Sequence, residues 1–363
     1  MSTFHRLPVT SVEHDPHDCV LVTFDTSGHG DRFAFEHGQH VNLRRLFDTD
    51  DGPVDVRRSY SICAAARAGE VPGDLRIAIR EVSGGVFSTW ATRELQPGDE
   101  VEVTTPTGHF THALAPDTPR TYALFAAGSG ITPLYSVAAT VLAREPHSRV
   151  SLVYVNRTAR STMLVDDLED LRDRYLGRLA IAYVFTREDS DSTLLSGRPD
   201  RTRLDALIAA GMLPATADHV YLCGPIDLTD TARDALLAAG TPAERVHREV
   251  FTTKQQGMVT LSPQAVTAAS VVVAQGRANL HGRSTAFEMY AGDTVLDAVQ
   301  RVRPDAPFAC RSGVCSTCQA VVRGGSVEMA VNYGLTPDEV ERGYILTCQS
   351  TPTTDTLDVD FDA

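Results

Sequence analysis

Short runs in which apolar and polar positions alternate fill the first third of the chain. Turn-forming pairs such as Ser27-Gly28 and Pro97-Gly98 separate these runs. The candidate strands are residues 20–24, 39–43, 75–81 and 100–104. Many short strands at this spacing predict a barrel or a sandwich, and we assign residues 1–116 to this all-β domain.

The pattern changes near Pro119, where buried-looking strands begin to alternate with segments of helical period. The predicted strands are residues 121–127, 150–155, 179–185 and 219–223, and the predicted helices are 133–144, 164–175, 204–210 and 228–239. Strands that alternate with helices indicate a parallel sheet covered on both faces. Residues 117–251 are therefore predicted to form an α/β domain.

A polar segment without clear periodicity follows, and we interpret residues 252–268 as a linker. The pattern then restarts with the strand-like Val271-Val272-Val273 and a hairpin partner at 286–290. One helix at 294–302 and a cysteine-rich loop come next. Residues 269–363 are predicted to be a third domain.

Composition and charge narrow the class of protein. The chain has 363 residues, 42% of them hydrophobic and 22% charged, which suits two or three globular domains with cores. No apolar run approaches the ~20 residues needed to cross a bilayer. The net charge of −14 disfavours nonspecific binding to nucleic acid or to an anionic membrane. The N-terminus lacks the apolar stretch of a secretory signal, so the expected location is the cytoplasm.

Four of the seven cysteines form the strongest motif in the chain. Cys310, Cys315 and Cys318 have the spacing C-x4-C-x2-C, and Cys348 completes the plant-type [2Fe–2S] pattern. Gly313 and its small neighbours allow a tight loop whose amides point at the sulfurs. A structural zinc site usually shows two C-x2-C pairs, and incidental buried cysteines would not have this spacing. We therefore predict that these four residues hold a [2Fe–2S] cluster.

Two segments of the first domain have the chemistry of a flavin site. Arg58-Ser59-Tyr60-Ser61 offers a cation for a pyrophosphate, an aromatic ring for the isoalloxazine and two hydroxyls. Alone, this segment would equally suit an ordinary strand end. Gly85-Val86-Phe87-Ser88-Thr89 predicts a glycine turn that leads into a helix, whose amides and hydroxyls could cradle a phosphate.

Two segments of the second domain suit a nicotinamide dinucleotide. Gly128-Ser129-Gly130-Ile131-Thr132-Pro133 follows a strand and opens a helix, as a dinucleotide phosphate loop does. Pro133 stands where the usual third glycine would be, and proline suits a first helical turn. Cys223-Gly224-Pro225 follows the strand at 219–223. For Cys223 considered alone, a small buried filler is the commoner interpretation.

The residues at the end of the second strand of this domain indicate whether the electron donor is NADPH or NADH. An acidic residue there would hold a ribose 2′-hydroxyl, whereas an arginine suits a 2′-phosphate. No acid follows Asn156 until Asp166, and Arg157 and Ser161 are the candidates for binding the phosphate. Arginine on this loop could also be plain surface. NADPH is favoured, and NADH remains possible.

These motifs, in this order, resemble the ferredoxin–NADP reductase superfamily with a C-terminal plant-type ferredoxin domain. The resemblance implies an antiparallel β-barrel that binds FAD, an α/β parallel-sheet NAD(P) domain and a β-grasp (α+β) ferredoxin domain. It places Tyr60, Ser61 and Cys223 beside the reacting rings. It also places Phe251 near the flavin, although a linker anchor is an alternative for this residue. FMN, used by some relatives, is the alternative to FAD.

The domain order is similar to that of reductase components of bacterial multicomponent oxygenases. The segments 58–63, 156–158, 329–333 and 343–349 most resemble the reductase subunits of phenylacetyl-CoA epoxidases, and next those of 3-ketosteroid 9α-hydroxylases. The resemblance implies that hydride passes from NADPH to FAD, and single electrons to the cluster and then to a partner oxygenase of aromatic catabolism. Two other hypotheses remain, a redox sensor or electron-storage module without turnover and a diaphorase that reduces small acceptors.

Overall fold

The computed structural model describes residues 4–15, 18–49, 52–67, 73–188, 192–251 and 271–363. The predicted linker at 252–268 lies outside the described residues. Three main sheets, one after another along the chain, carry the architecture.

An antiparallel six-stranded sheet in the order β4-β3-β6-β1-β2-β5 forms the first domain. Its strands are β1 (Phe4–Asp15), β2 (Cys19–Asp25), β3 (His40–Thr49), β4 (Gly52–Ser61), β5 (Asp74–Arg80) and β6 (Glu100–Thr104), and its helix is α1 (Val86–Arg93). A bridge between Ile62 and Ile77 joins the two edge strands, which closes the sheet into a barrel. Alternate strand residues such as Val20, Val22 and Phe24 are fully buried and fill the interior.

A parallel five-stranded sheet in the order β11-β10-β7-β8-β9 forms the second domain. Its elements are β7 (Thr121–Ala127), α2 (Ile131–Arg144), β8 (Arg149–Asn156), α3 (Val165–Arg174), β9 (Leu179–Phe185), α4 (Arg201–Ala209), β10 (His219–Gly224), α5 (Ile226–Ala238) and β11 (Val246–Val250). The central strand β7 is buried from Tyr122 to Ala127, as a strand covered on both faces must be. The predicted α/β architecture is confirmed.

A mixed five-stranded sheet in the order β13-β12-β18-β14-β16 forms the third domain. Its elements are β12 (Val272–Leu280), β13 (Arg283–Tyr290), α6 (Val295–Val302), β14 (Gln319–Gly324), β15 (Val327–Met329), α7 (Pro337–Glu341), β16 (Tyr344–Leu346), β17 (Ser350–Pro352) and β18 (Thr356–Asp360). Thr294 and Asp297 form a capping box that begins α6, which packs against β13. Strands β12 and β18 are parallel, and the other pairs in this sheet are antiparallel.

The barrel contacts both other domains. Arg76 of β5 forms two hydrogen bonds, of 2.5 and 3.0 Å, with the Asp167 carboxylate of α3. On the side of the third domain, the Arg57 guanidinium lies 4.4 Å from the centre of the Phe308 ring. Through the described part of the chain, no helix combines the length and the apolar character needed to span a bilayer.

Candidate functional site

The Arg58–Ser61 segment lies at the end of β4, where the strand is paired with β3. Ser61 lies opposite His40, and Ser59 lies opposite Asn42. The Tyr60 ring is 6.0 Å from the Phe87 ring, and burial raises the pKa of its hydroxyl. Burial lowers the pKa of Arg58, whose Nη1 donates to the carbonyl of Arg57 at 2.7 Å.

The second predicted flavin segment forms the start of α1, with Gly85 at the N-cap. Phe87 and Ser88 are buried, Val86 is exposed, and the Thr89 amide donates to the Gly85 carbonyl. The Ser88 hydroxyl closes the turn by donating to the same carbonyl at 3.2 Å. Because no side chain of the described residues caps this end, the first helical amides are available to an anionic group.

An aromatic cluster that the motifs did not reveal lies on the same helix. Trp90 is buried and meets the Phe87 ring edge-to-face at 5.3 Å. The Arg45 guanidinium lies 4.0 Å from the centre of the Trp90 ring, and Phe47 packs against both aromatic rings. The cluster joins α1 to β3, which fixes the helix start against the barrel.

A small cavity of about 40 Å³ lies where the three domains meet. Ser59, Ser61 and Phe251 form its wall together with the motif cysteines Cys310 and Cys315. Two buried polar atoms of its lining, His40 Nε2 and Glu249 Oε2, have no hydrogen-bond partner among the described residues. Buried polar atoms are rarely left unpaired. The cavity, which has room for a few atoms only, therefore suits the polar edge of a larger ligand such as an isoalloxazine ring.

Glu249 and His40 are site residues that the sequence motifs missed. Burial raises the pKa of Glu249 to about 8, against the opposing effect of its hydrogen bond with Ser61. Burial lowers the pKa of His40 to about 4, so this imidazole is neutral. Neither residue belongs to a sequence motif, because each reaches the cavity only through the packing of separate domains.

The predicted nucleotide loop, which leads into α2, lies directly against the end of β10. A methyl group added to Gly130 would lie 2.2 Å from the Cys223 carbonyl oxygen, so only glycine allows this approach. The next residue, Gly224, has a φ of +153°, and its carbonyl accepts the amide of Phe251 at 3.4 Å. The predicted residues Gly130, Cys223, Gly224 and Phe251 are thus close together.

The remaining residues of these two segments begin helices. Thr132 donates its hydroxyl to the Ser129 carbonyl at 3.1 Å, and the buried Pro133 lies in the first turn of α2. Pro225 occupies the N-cap of α5. Burial raises the pKa of Cys223 well above its ordinary value, so its thiol stays protonated.

Arg157 and Ser161 lie on the loop that follows β8. Arg157 is exposed, whereas the Ser161 hydroxyl takes part in a capping box with Thr158. Ser161 is further fixed from the barrel, because Arg80 Nη2 donates to its carbonyl at 2.8 Å. A carboxylate that the sequence analysis missed also reaches this loop, since the amide of Ala159 donates to Glu188 Oε2 at 2.9 Å. Here the acidic group comes from the end of the neighbouring strand.

The four motif cysteines lie as two pairs. Cys310 is hydrogen-bonded with Cys315, and Cys318 with Cys348. Donors point at the sulfurs, among them the Ser312 amide at 3.4 Å from Cys310 Sγ. In the described ranges no three His, Cys, Asp or Glu side chains lie close enough together to hold a single metal ion. Two pairs of thiols suit two irons, so these residues fit a [2Fe–2S] cluster.

Hydrogen bonding makes the paired cysteines unequal. The Cys315 thiol and the Ser312 amide donate to Cys310 and lower its pKa well below the ordinary value. Cys318 likewise donates to Cys348 and lowers the pKa of that thiol. Thiolate is the form that binds iron, and the donors that point at these sulfurs would stabilise it.

Three family models match successive parts of the chain. Residues 6–112 match an oxidoreductase FAD-binding domain. Residues 124–234 match an oxidoreductase NAD-binding domain, and residues 278–353 match a 2Fe-2S iron-sulfur cluster binding domain. The predicted cofactors FAD, NAD(P)H and [2Fe–2S] are thereby confirmed as a set.

Relatives are similar along nearly their whole length. The chain is 38% identical to a subunit of the 1,2-phenylacetyl-CoA epoxidase of Escherichia coli K12, over 100% of this chain and 99% of that protein. It is 32% identical to the ferredoxin reductase component of the 3-ketosteroid-9-alpha-monooxygenase of Mycobacterium tuberculosis, over 91% of this chain and 86% of that protein. The solved phthalate dioxygenase reductase has the same fold, with a TM-score of 0.58 at 24% identity over 99% of this chain and 98% of its own.

The matched models and the full-length relatives agree with the order of the three sheets in the structure. The predicted superfamily, fold class and electron-transfer activity are confirmed on this basis. The chain belongs to the family of reductase components that join an FAD-binding, an NAD-binding and a [2Fe–2S] domain in one polypeptide.

Proposed function

We propose that this protein is the NADPH-dependent reductase component of a phenylacetyl-CoA epoxidase, and that its electron acceptor is the oxygenase component of that enzyme. The observation that carries the electron route is the cavity in which Ser59, Ser61 and Phe251 meet Cys310 and Cys315. The full-length identity of 38% to a protein of an epoxidase supports the pathway.

The residues of the site would bind and align the reactants. FAD, when bound, accepts two electrons as a hydride and passes them on singly. Tyr60 would pack against the flavin ring, and the hydroxyl of Ser61 would hydrogen-bond to its edge. The buried Glu249, with a pKa of about 8, is protonated at neutral pH and would supply a proton donor at that edge. Cys223 and Phe251 would exclude water from the nicotinamide side.

The segments that the sequence motifs identified would also hold the FAD pyrophosphate and the nicotinamide dinucleotide. The start of α1, from Gly85 to Thr89, would hold the FAD pyrophosphate together with Arg58. Gly130, Thr132 and Pro133 at the start of α2, with Gly224 and Pro225 after β10, would hold the nicotinamide dinucleotide. These assignments rest on the uncapped helix ends and on the close approach at Gly130.

NADPH is our proposed donor because the loop after β8 carries positive charge. Arg157 and Arg160 are exposed on this loop, and Arg187 follows β9 beside it, with its amide donating to the Arg157 carbonyl at 2.9 Å. Ser161 would add a hydroxyl if it exchanges its bond to Thr158 for one to the phosphate. Glu188 Oε2 accepts a hydrogen bond from the Ala159 amide of this loop at 2.9 Å.

The proposed FAD barrel spans residues 1–116, the NAD(P) domain 117–251 and the ferredoxin domain 269–363, with a linker between the last two. We place the protein in the cytoplasm, where NADPH and the oxygenase would be available. A 3-ketosteroid 9α-hydroxylase is the second candidate partner, supported by a relative of 32% identity.

An anaerobic titration with NADPH tests the proposal, followed by the visible spectrum and low-temperature EPR. We expect the flavin to bleach and a reduced [2Fe–2S] signal to grow. Reconstitution with the oxygenase components of a phenylacetyl-CoA epoxidase should then couple NADPH oxidation to epoxidation. Flavin reduction without a cluster signal on an iron-replete sample would refute the route. Turnover with only the ketosteroid oxygenase would move the assignment to the second candidate.

A further inference from the structure

A hydrogen-bond chain connects the flavin segment to a cluster sulfur. The Ser59 hydroxyl donates to Asn42 Oδ1 at 2.6 Å, and Asn42 Nδ2 donates to Thr317 Oγ1 at 3.1 Å. The Thr317 hydroxyl lies 3.1 Å from Cys315 Sγ and donates to it. All three bonds run in one direction, so each donor can polarise the next.

Burial strengthens the three hydrogen bonds that link Ser59 to Cys315. Asn42 is 0% exposed, Thr317 is 9% exposed and Cys315 is 4% exposed. Hydrogen bonds in such surroundings are stronger than in water, and a buried amide left without a partner is costly. The amide of Asn42 thus stabilises the seating of the cysteine loop, since its partner on the ferredoxin side is the Thr317 hydroxyl.

The position of Asn42 is fixed by the barrel. Asn42 lies opposite Ser59 in the β3–β4 pair, and its backbone N–H donates to the Thr104 hydroxyl at 3.0 Å. Another contact between these domains, that of Arg57 with the Phe308 ring, reaches no cysteine. Because Asn42 is held by both its backbone and its side chain, it fixes where the Thr317 hydroxyl lies relative to the barrel.

We propose that Asn42 is a positioning residue that seats the cysteine loop on the flavin strand and, through the Thr317 hydroxyl, raises the reduction potential of the cluster. A donor to a cluster sulfur stabilises the additional negative charge of the reduced form. Asn42 donates to the threonine oxygen, and this polarisation strengthens the donation of the threonine hydroxyl to Cys315 Sγ at 3.1 Å. The proposal rests on the proposed function, which supplies the cluster.

Potentiometric EPR titration of the full-length holoprotein tests this role without any turnover. For Thr317→Val, the ratio of reduced to oxidised cluster at a fixed solution potential should fall about tenfold, which for one electron is about 59 mV. Thr317→Ser, which keeps the hydroxyl, should stay within about twofold of the parent. Asn42→Ala should shift the ratio in the same direction by about threefold.

A double-mutant cycle shows whether Asn42 acts on the cluster potential through Thr317 or independently of it. Adding Asn42→Ala to Thr317→Val should leave the potential of the single Thr317→Val variant unchanged. The matched control is Asn279→Ala, which removes a 3.0 Å bond to Asp360 within the ferredoxin domain and should keep the parental potential. If Asn42→Ala purifies without flavin, Asn42→Ser, with its smaller change, replaces it in the cycle.

The outcomes are distinct. Additive shifts in the cycle, or a parental potential in Thr317→Val, would overturn the role of Asn42 and leave the proposed function intact. A parent protein that binds no cluster would overturn both. Iron and flavin contents measured for each variant show whether a shift comes from the hydrogen bond or from lost cofactor.

Discussion

Replacement of Gly130 by alanine should slow flavin reduction by NADPH. The new methyl group would lie 2.2 Å from the Cys223 carbonyl oxygen and 2.8 Å from the Gly224 amide nitrogen. Both atoms belong to the backbone of β10, an inner strand paired with β7 and β11, so they cannot move aside cheaply. The nucleotide loop must instead shift by about 1 Å to restore an ordinary contact distance, and a displacement of this size can slow a reaction on the order of 100-fold.

Anaerobic stopped-flow measurement of flavin bleaching at saturating and at limiting NADPH separates the effect on hydride transfer from the effect on binding. The control is Gly211→Ala, which also replaces a glycine in the same domain but meets no atom within 4 Å. Because Gly211 has a positive φ, this change should cost stability of about 1 kcal/mol and leave the rate of bleaching unchanged. A parental rate in Gly130→Ala would refute the argument from close approach, and equal slowing in both variants would show that a general loss of stability is responsible.

Three further outcomes are expected. Arg157→Ala should weaken NADPH binding about tenfold with little effect on NADH in equilibrium titrations, and an equal loss for both would assign the arginine to the general surface. Phe308→Ala removes the ring beside Arg57, and hydrogen exchange of the amides from 308 to 318 should quicken about tenfold, in contrast to those of β13. The pKa of Glu249 is raised to about 8 from the ordinary 4.5. Between pH 4.5 and pH 8 the folded protein therefore keeps a proton on Glu249 that the unfolded chain releases. The free energy of unfolding of the cofactor-free protein should therefore fall as the pH rises through this window, on the order of 4 kcal/mol. Glu249→Gln should lose this slope in urea titrations at pH 5 and pH 9, and a slope equal to the parent's would contradict the assignment.

The elements of the second domain were predictable because its burial pattern is simple. The strands predicted at 121–127 and 179–185 coincide with β7 and β9, since continuous apolar runs bounded by turns have few alternatives. Helix α2 begins at Ile131, two residues before the predicted start at Pro133, because the glycine turn already bends the chain into the helix. In the barrel, the long strand β1 escaped prediction, since its outward-facing residues are polar and its alternation is weak.

The site was predictable where motifs are contiguous and unpredictable where it depends on contacts between domains. The cysteines and the Arg58–Ser61 segment have local spacing that the sequence displays. Asn42 and Thr317 are 275 positions apart, and nothing in either local sequence indicates that they touch. Glu188 illustrates the same limit. The choice between NADPH and NADH was predicted from the residues that follow β8, whereas Glu188 follows β9 and reaches the same loop through the Ala159 amide.

The aromatic cluster on α1 has a consequence for spectroscopy. Trp90 is the single tryptophan of the chain, and it lies in the barrel beside the segment proposed to bind the flavin phosphates. Its fluorescence therefore reports on one domain while the other two remain silent at tryptophan-selective excitation. Emission from Trp90 can follow the loading of FAD in the intact protein, without a label and without an engineered probe.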